Sequence, residues 1–144
     1  MTEKPDFRAT LAPLVSQICN RIGVMQILDY RCGASPIMNS LKVGHNMRIQ
    51  CYDPQIDRFK AAPLAADLVF YAPDSEPDDE TLDEIEMLTG AVCVFALQTE
   101  VPEPWIHRLA DKFDLHTYQR IEGGFYAILY CKPNIHLAGA HSVN

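Results

Sequence analysis

Residues 25–35 read M-Q-I-L-D-Y-R-C-G-A-S, and this stretch decides the fold. Met25 to Tyr30 is a short apolar run of the kind a buried strand shows. It breaks into a turn of small residues around Gly33, where backbone can approach a ligand closely. A second run, Met47 to Tyr52 (M-R-I-Q-C-Y), stops at Asp53-Pro54. Asp53 follows Gly33 by 20 residues. In a doubly wound sheet that spacing puts an acid at the tip of the neighbouring strand, where it accepts hydrogen bonds from ribose hydroxyls.

Outward from this pair the chain alternates. Phe7, Leu11, Leu14, Ile18 and Ile22 recur at spacings of three and four, one face of an amphipathic helix closed by Gly23; Pro13 kinks it or lies near its start. Ser35 to Leu41 reads as a short helix with Ser35 as cap and Pro36 in first position. Residues 54–65 read as a loop. Ala66 to Tyr71 is a third strand, and Ser75 to Thr89 a helix with acids in its first turn and Gly90 closing it. Ala91 to Leu97 is the most apolar stretch, a central strand buried on both faces. Pro104 to Phe113 is a helix with Trp105, Leu109 and Phe113 on one side. Leu115 to Ile121 and Phe125 to Cys131 form a hairpin around Gly123-Gly124. Strands alternating with helices imply right-handed crossovers and a mostly parallel α/β sheet, Rossmann-like, with helices on both faces. The expected strand order is 2-1-3-4-6-5, antiparallel only in the closing hairpin and beside it. Residues 1–132 read as one domain, with an N-terminal helix over 1–23, and 133–144 as a loosely ordered tail.

Composition narrows the function. The 144 residues carry 19 acidic and 12 basic side chains, a formal net charge of −7, with acids concentrated between Asp74 and Glu86. That balance repels phosphate and argues against duplex nucleic acid as partner. No apolar run reaches the roughly 18 residues a membrane span needs. The charged start, Met1 to Phe7, is unlike a signal peptide, so the expected location is the cytoplasm. The five cysteines (Cys19, Cys32, Cys51, Cys93, Cys131) form no C-x-x-C pair and have no histidine at ligand spacing. They read as reduced thiols, mostly in the core, and no metal site is expected.

The motifs resemble those of class I S-adenosylmethionine-dependent methyltransferases. I27-L-D-Y-R-C-G-A is similar to the family's L-D-x-G-C-G-x-G first motif, C51-Y-D-P to its second-strand acidic motif, and A66-D-L-V-F-Y to its A-D-L-V strand. The closing hairpin is a hallmark of that fold. The resemblance covers roughly residues 22–132; the loop at 54–65 replaces a helix, a strand and a helix. The shortened plan resembles small methyltransferase-like proteins of bacteriophage genomes. It implies S-adenosylmethionine as cofactor, with Asp29, Tyr30, Arg31, Gly33 and Asp53 as its contacts and a small-molecule or protein methyl acceptor. Two departures stand out. Arg31 and Ser35 occupy positions where the family has glycine, and Arg31 would either fill the space of the methionine half or pair with its carboxylate. No apolar-Glu-His segment follows the third strand and no general base is identifiable; Asp74 is a catalytic candidate.

Each residue also has a plainer reading. Asp29 caps the turn after its strand, Asp53 is a turn residue, Arg31 forms a surface ion pair, and Asp74 is a solvated acid at a helix start. His107 and His116 read as surface residues, Trp105 as core. Two functions stay open: methyl transfer, or a non-catalytic structural or interaction protein on the same fold, such as a phage assembly component, acting as a homo-oligomer or within a protein assembly.

Overall fold

The computed structural model describes residues 7–33, 36–44 and 46–132. The expected cap at Ser35 and tail at 133–144 lie outside them. A six-stranded sheet in the order β2-β1-β3-β4-β6-β5 forms the middle layer. Its strands are β1 (Gln26–Tyr30), β2 (Arg48–Tyr52), β3 (Ala66–Tyr71), β4 (Thr89–Leu97), β5 (Phe113–Ile121) and β6 (Gly124–Cys131). The pairs β1–β2, β1–β3 and β3–β4 are parallel, while β4–β6 and β5–β6 are antiparallel. Helix α1 (Ala12–Ile22) covers one face; α2 (Asp79–Leu88) and α3 (Glu103–Lys112) cover the other.

Side-chain alternation builds both layers. Ile27, Leu68, Phe70, Val92 and Val94 face α1, where they meet Leu11, Val15 and Cys19. Leu28, Val69, Cys93 and Phe95 face the other way, against Leu82 and Ile85 of α2 and Trp105 and Leu109 of α3. Phe95 centres an aromatic cluster, with ring centroids 5.8 Å from Tyr71, 5.9 Å from Phe125 and 6.3 Å from Trp105. Truncating a side chain so enclosed costs about 3–5 kcal/mol.

Local chemistry explains where the helices sit. Pro13 lies in the first turn of α1, where its missing N–H forfeits no helical bond. Gly23, at φ 70°, closes the helix with its amide on the Cys19 carbonyl. Asp78 caps α2 by accepting from the Thr81 amide at 2.8 Å, so that helix starts four residues later than its acidic composition suggests. Thr89 opens β4 directly after α2, and Gly90 lies inside the strand rather than at a helix end. A Cβ on Gly90 would meet the Ala66 carbonyl oxygen at 3.1 Å, so a bare backbone there suits the close β3–β4 approach. The helix expected over 35–41 is a short 3-10 turn, Ile37–Ser40, and the 54–65 loop holds another, Asp57–Phe59. Gln50 of edge strand β2 pins that loop, donating to the Ala62 carbonyl and accepting from the Leu64 amide.

Candidate functional site

The parallel strands β1, β2 and β3 all point their carboxyl ends to one side, and a cleft of about 390 Å³ opens there. Small-molecule sites run roughly 300–1,000 Å³ and favour this end of open α/β sheets. The floor comes from the turn after β1. Arg31 (φ 54°) and Gly33 (φ 68°) both adopt left-handed conformations. For glycine this is free of steric cost; for arginine it costs about 1–2 kcal/mol. The turn is stitched to β2 by the Cys32 amide on the Tyr52 carbonyl (3.0 Å) and the Gly33 amide on Asp53 Oδ2 (2.9 Å). Asp53 Oδ1 accepts from the Gln55 amide at 3.0 Å. Asp53 is thus fixed, 9% exposed, on the cleft surface. Among the described residues each carboxylate oxygen accepts one hydrogen bond, of the two it can take.

Asp29 lies beneath this surface and is fully buried. It pairs with Arg8, and its Oδ2 accepts from the Ile37 amide at 2.8 Å, fastening the 3-10 turn that follows. Burial pushes its carboxyl above the usual range, against the pull of the Arg8 guanidinium. Arg8 also lies 5.0 Å from the Phe70 ring centroid, donates to the Ala72 carbonyl at 3.4 Å and lines the cleft. Nothing in the sequence marked Arg8: it is a lone cation beside an apolar helix stripe, 21 residues from the acid it meets.

Tyr30 is buried too. Its hydroxyl donates to Glu84 Oε2 at 2.6 Å, and burial, then Glu84, raises its pKa. The Arg31 guanidinium is the other polar neighbour of that hydroxyl, and its charge is also felt by Tyr71 and by Asp78, the α2 cap. Arg31 therefore runs along the α2 side of the cleft. Burial lifts the Tyr71 hydroxyl to about 12, so it stays protonated at neutral pH and can donate. The loop between β3 and α2 also lines the cleft, with Asp74 and Glu76 exposed on it. Of the expected site residues, Arg31, Gly33, Asp53 and Asp74 converge on the cleft, whereas Asp29 and Tyr30 support its floor. Trp105 is core, and His107 and His116 are exposed on α3 and β5. Among the described residues no three His, Cys, Asp or Glu side chains gather as metal ligands would, and no helix is long and apolar enough to cross a membrane.

No protein-family profile and no curated sequence matches the chain. Solved structures do. The 16S rRNA methylase ArmA superposes with a TM-score of 0.61 at 16% identity, over 86% of this chain and 83% of its own. The protein yhhF of Escherichia coli, described as a candidate methyltransferase, gives 0.54 at 14% identity, over 90% and 87%. A ribosomal protein L11 methylase from Lactobacillus delbrueckii subsp. bulgaricus gives 0.54 at 11%, over 90% and 81%. At such identities the likeness establishes the fold: the mostly parallel sheet and closing hairpin of class I methyltransferases.

Proposed function

We propose that the cleft at the tips of β1–β3 binds S-adenosylmethionine and that the chain is a methyltransferase of reduced size. The observation that carries this reading is Asp53. It is held rigid at the tip of β2 by amides from two loops, and among the described residues each oxygen accepts one of the two hydrogen bonds it can take, which suits a ribose diol. The left-handed turn at Arg31 and Gly33 brings bare backbone to the same place. The lining also fits a cation. Asp53, Asp74, Glu76 and Asp78 face two guanidinium groups, Arg8 and Arg31, so negative charge predominates.

When bound, the cofactor would supply an electrophilic methyl group on a sulfonium to an acceptor's lone pair. The chain's own part is orientation. Asp53 would hold the sugar and the 31–33 turn would shape the floor, with Arg31 lining the cleft near Tyr30 and Asp78. Alignment of the two reactants supplies much of such a rate enhancement, so a strong base is not required. Asp74, exposed on the rim, is the acid nearest in role to a proton acceptor.

A second reading rests on the Arg31 guanidinium. Arg31 adds positive charge where the family resemblance expects glycine-lined space, which favours a non-catalytic interaction protein on this fold, such as a phage assembly component. Calorimetric titration with S-adenosylmethionine and S-adenosylhomocysteine separates the two. Saturable binding that Asp53→Ala weakens supports the enzyme; absence of binding with either ligand rejects it in favour of the second reading.

A further inference from the structure

Charge is divided unevenly along the chain. Residues 7–72 hold seven basic and four acidic side chains, while residues 73–132 hold four basic and 13 acidic ones. In the acidic half, surface cations meet carboxylates: Arg108 pairs with Asp79, Lys112 with Asp83 and Arg120 with Glu103. In the basic half the acids serve the fold instead. Asp29 is buried against Arg8, and Asp53 takes the Gly33 and Gln55 amides. Asp67 Oδ2 takes the Met25 and Gln26 amides at 2.9 and 3.0 Å. Asp57 alone among these four meets an exposed cation, Lys60 at 3.8 Å. The result is five exposed cations around edge strand β2. Arg48 opens the strand, and Arg58 and Lys60 lie on the loop that follows it. That loop returns alongside β2, where Gln50 donates to the Ala62 carbonyl at 3.2 Å. Lys42 precedes the turn into β2; its carbonyl accepts from the Asn20 side chain at 3.4 Å, next to Arg21 at the end of α1. Among the described residues Arg21, Lys42, Arg48 and Arg58 pair with no carboxylate. Two half-buried rings stand among these cations: Tyr52, and Phe59 with its centroid 4.7 Å from the Arg58 guanidinium. None of the five cations lines the cleft.

We infer that the β2 edge is a docking surface for a single-stranded nucleic acid. Exposed cations with no carboxylate beside them create a local positive field that attracts a polyanion, whatever the sign of the whole molecule. A phosphodiester backbone supplies charges in a row, and its bases stack on aromatic faces flanked by arginine without regard to sequence. The acidic half decides the form of the ligand. A duplex or a flat anionic bilayer presents a broad charged surface and would bring further phosphate toward the carboxylates of α2. One flexible strand follows the narrow β2 edge, which pairs with no strand on its outer side among the described residues, and stays clear of those carboxylates. Occupancy of this edge is independent of cofactor binding in the cleft.

The test is fluorescence anisotropy of a fluorescein-labelled oligouridylate of about 12 nucleotides, titrated with the full chain at low salt. Saturable binding is expected. Its logarithm should fall with the logarithm of salt concentration at a slope of about −1.4 to −2.8, as for about two to four phosphates of a single strand. Arg48→Glu combined with Arg58→Glu should weaken binding at least roughly tenfold and flatten that slope. Arg120→Glu combined with Lys132→Glu makes the same change of net charge at the β5–β6 side and should alter affinity less than about twofold. Urea midpoints verify folding of each variant, and the milder pair Arg48→Gln with Arg58→Gln serves if the reversals fail to fold. No binding at low salt, equal losses in the two double variants, or equal affinity for a duplex of the same length would overturn the inference. So would preferential binding to phosphatidylserine vesicles that the β2 variant loses, since the edge would then serve a membrane. A dimer in sedimentation that the β2 variant dissociates would assign the edge to the acidic face of a second copy and overturn it likewise.

Discussion

The Asp53 carboxylate receives the Gly33 amide at 2.9 Å, joining the ends of two adjacent parallel strands through a side chain. The bond makes one residue both a structural tie and an acceptor on the cleft surface. Asp53→Ala leaves the Gly33 and Gln55 amides without their acceptor. It should lower unfolding free energy by about 1–3 kcal/mol and weaken S-adenosylmethionine binding at least roughly tenfold. Urea denaturation and calorimetry measure the two losses, and an unchanged affinity would reject the ligand role.

Arg8 and Asp29 form a buried pair, so removing one partner strands the other. Arg8→Met should cost about 3–5 kcal/mol. Combining Arg8→Met with Asp29→Asn should recover most of it, because the introduced amide carries no charge and its oxygen still accepts from the Ile37 amide. The loss has a pH signature. Burial already holds the folded-state pKa of Asp29 above its ordinary 3.8, and loss of Arg8 raises it further. A carboxyl with a raised folded pKa favours folding while protonated and loses that contribution as pH rises through the folded value. The deficit of Arg8→Met should therefore be small in acid and grow as pH climbs above the natural Asp29 value. A deficit constant across pH would argue against the pair.

Arg31 holds a left-handed conformation beside the proposed cofactor site. Arg31→Gly relieves that strain and removes a cation facing a cationic ligand. S-adenosylmethionine affinity should rise by roughly fivefold at low salt, and less at high salt as screening takes over. Side-by-side titration at two ionic strengths reads both effects; weaker binding by the variant would show that the guanidinium holds the ligand instead.

Burial lifts the Cys19 thiol to about 11 and the Cys32 thiol to about 12, and both side chains are enclosed. Neither has an appreciable thiolate fraction at neutral pH. An aromatic disulfide reagent should label both slowly in the native protein and at once in urea. Rapid native labelling at either position, located by peptide mapping, would contradict this packing.

Gly124 opens β6 where a Cβ would stand 2.2 Å from the Leu97 carbonyl oxygen. Backbone cannot step aside as a side-chain tip can. Gly124→Ala should destabilise by about 1–3 kcal/mol, measured as a lower urea midpoint, whereas Gly44→Ala, with open space around the added methyl, should not.

Local pattern was sufficient for the scaffold. The near-continuous apolar runs at Ile27 to Tyr30 and Leu68 to Tyr71 mark strands buried on both faces, and the helical stretches that alternate with strands imply parallel crossovers. The strand order and the antiparallel end follow from that alternation and the Gly123 turn. Asp53 was legible for the same reason, since 20 residues span one crossover and end at the neighbouring tip. Tertiary structure decided what local pattern does not encode. Helix α2 starts after Asp78 rather than at Ser75, because the Asp78 carboxylate takes up the Thr81 amide. The burial of Asp29 depends on Arg8, because an ion pair forms between residues that packing brings together, whatever their separation along the chain. The course of Arg31 depends on Tyr30 and on the α2 cap, which reach it only once α2 lies on its face of the sheet.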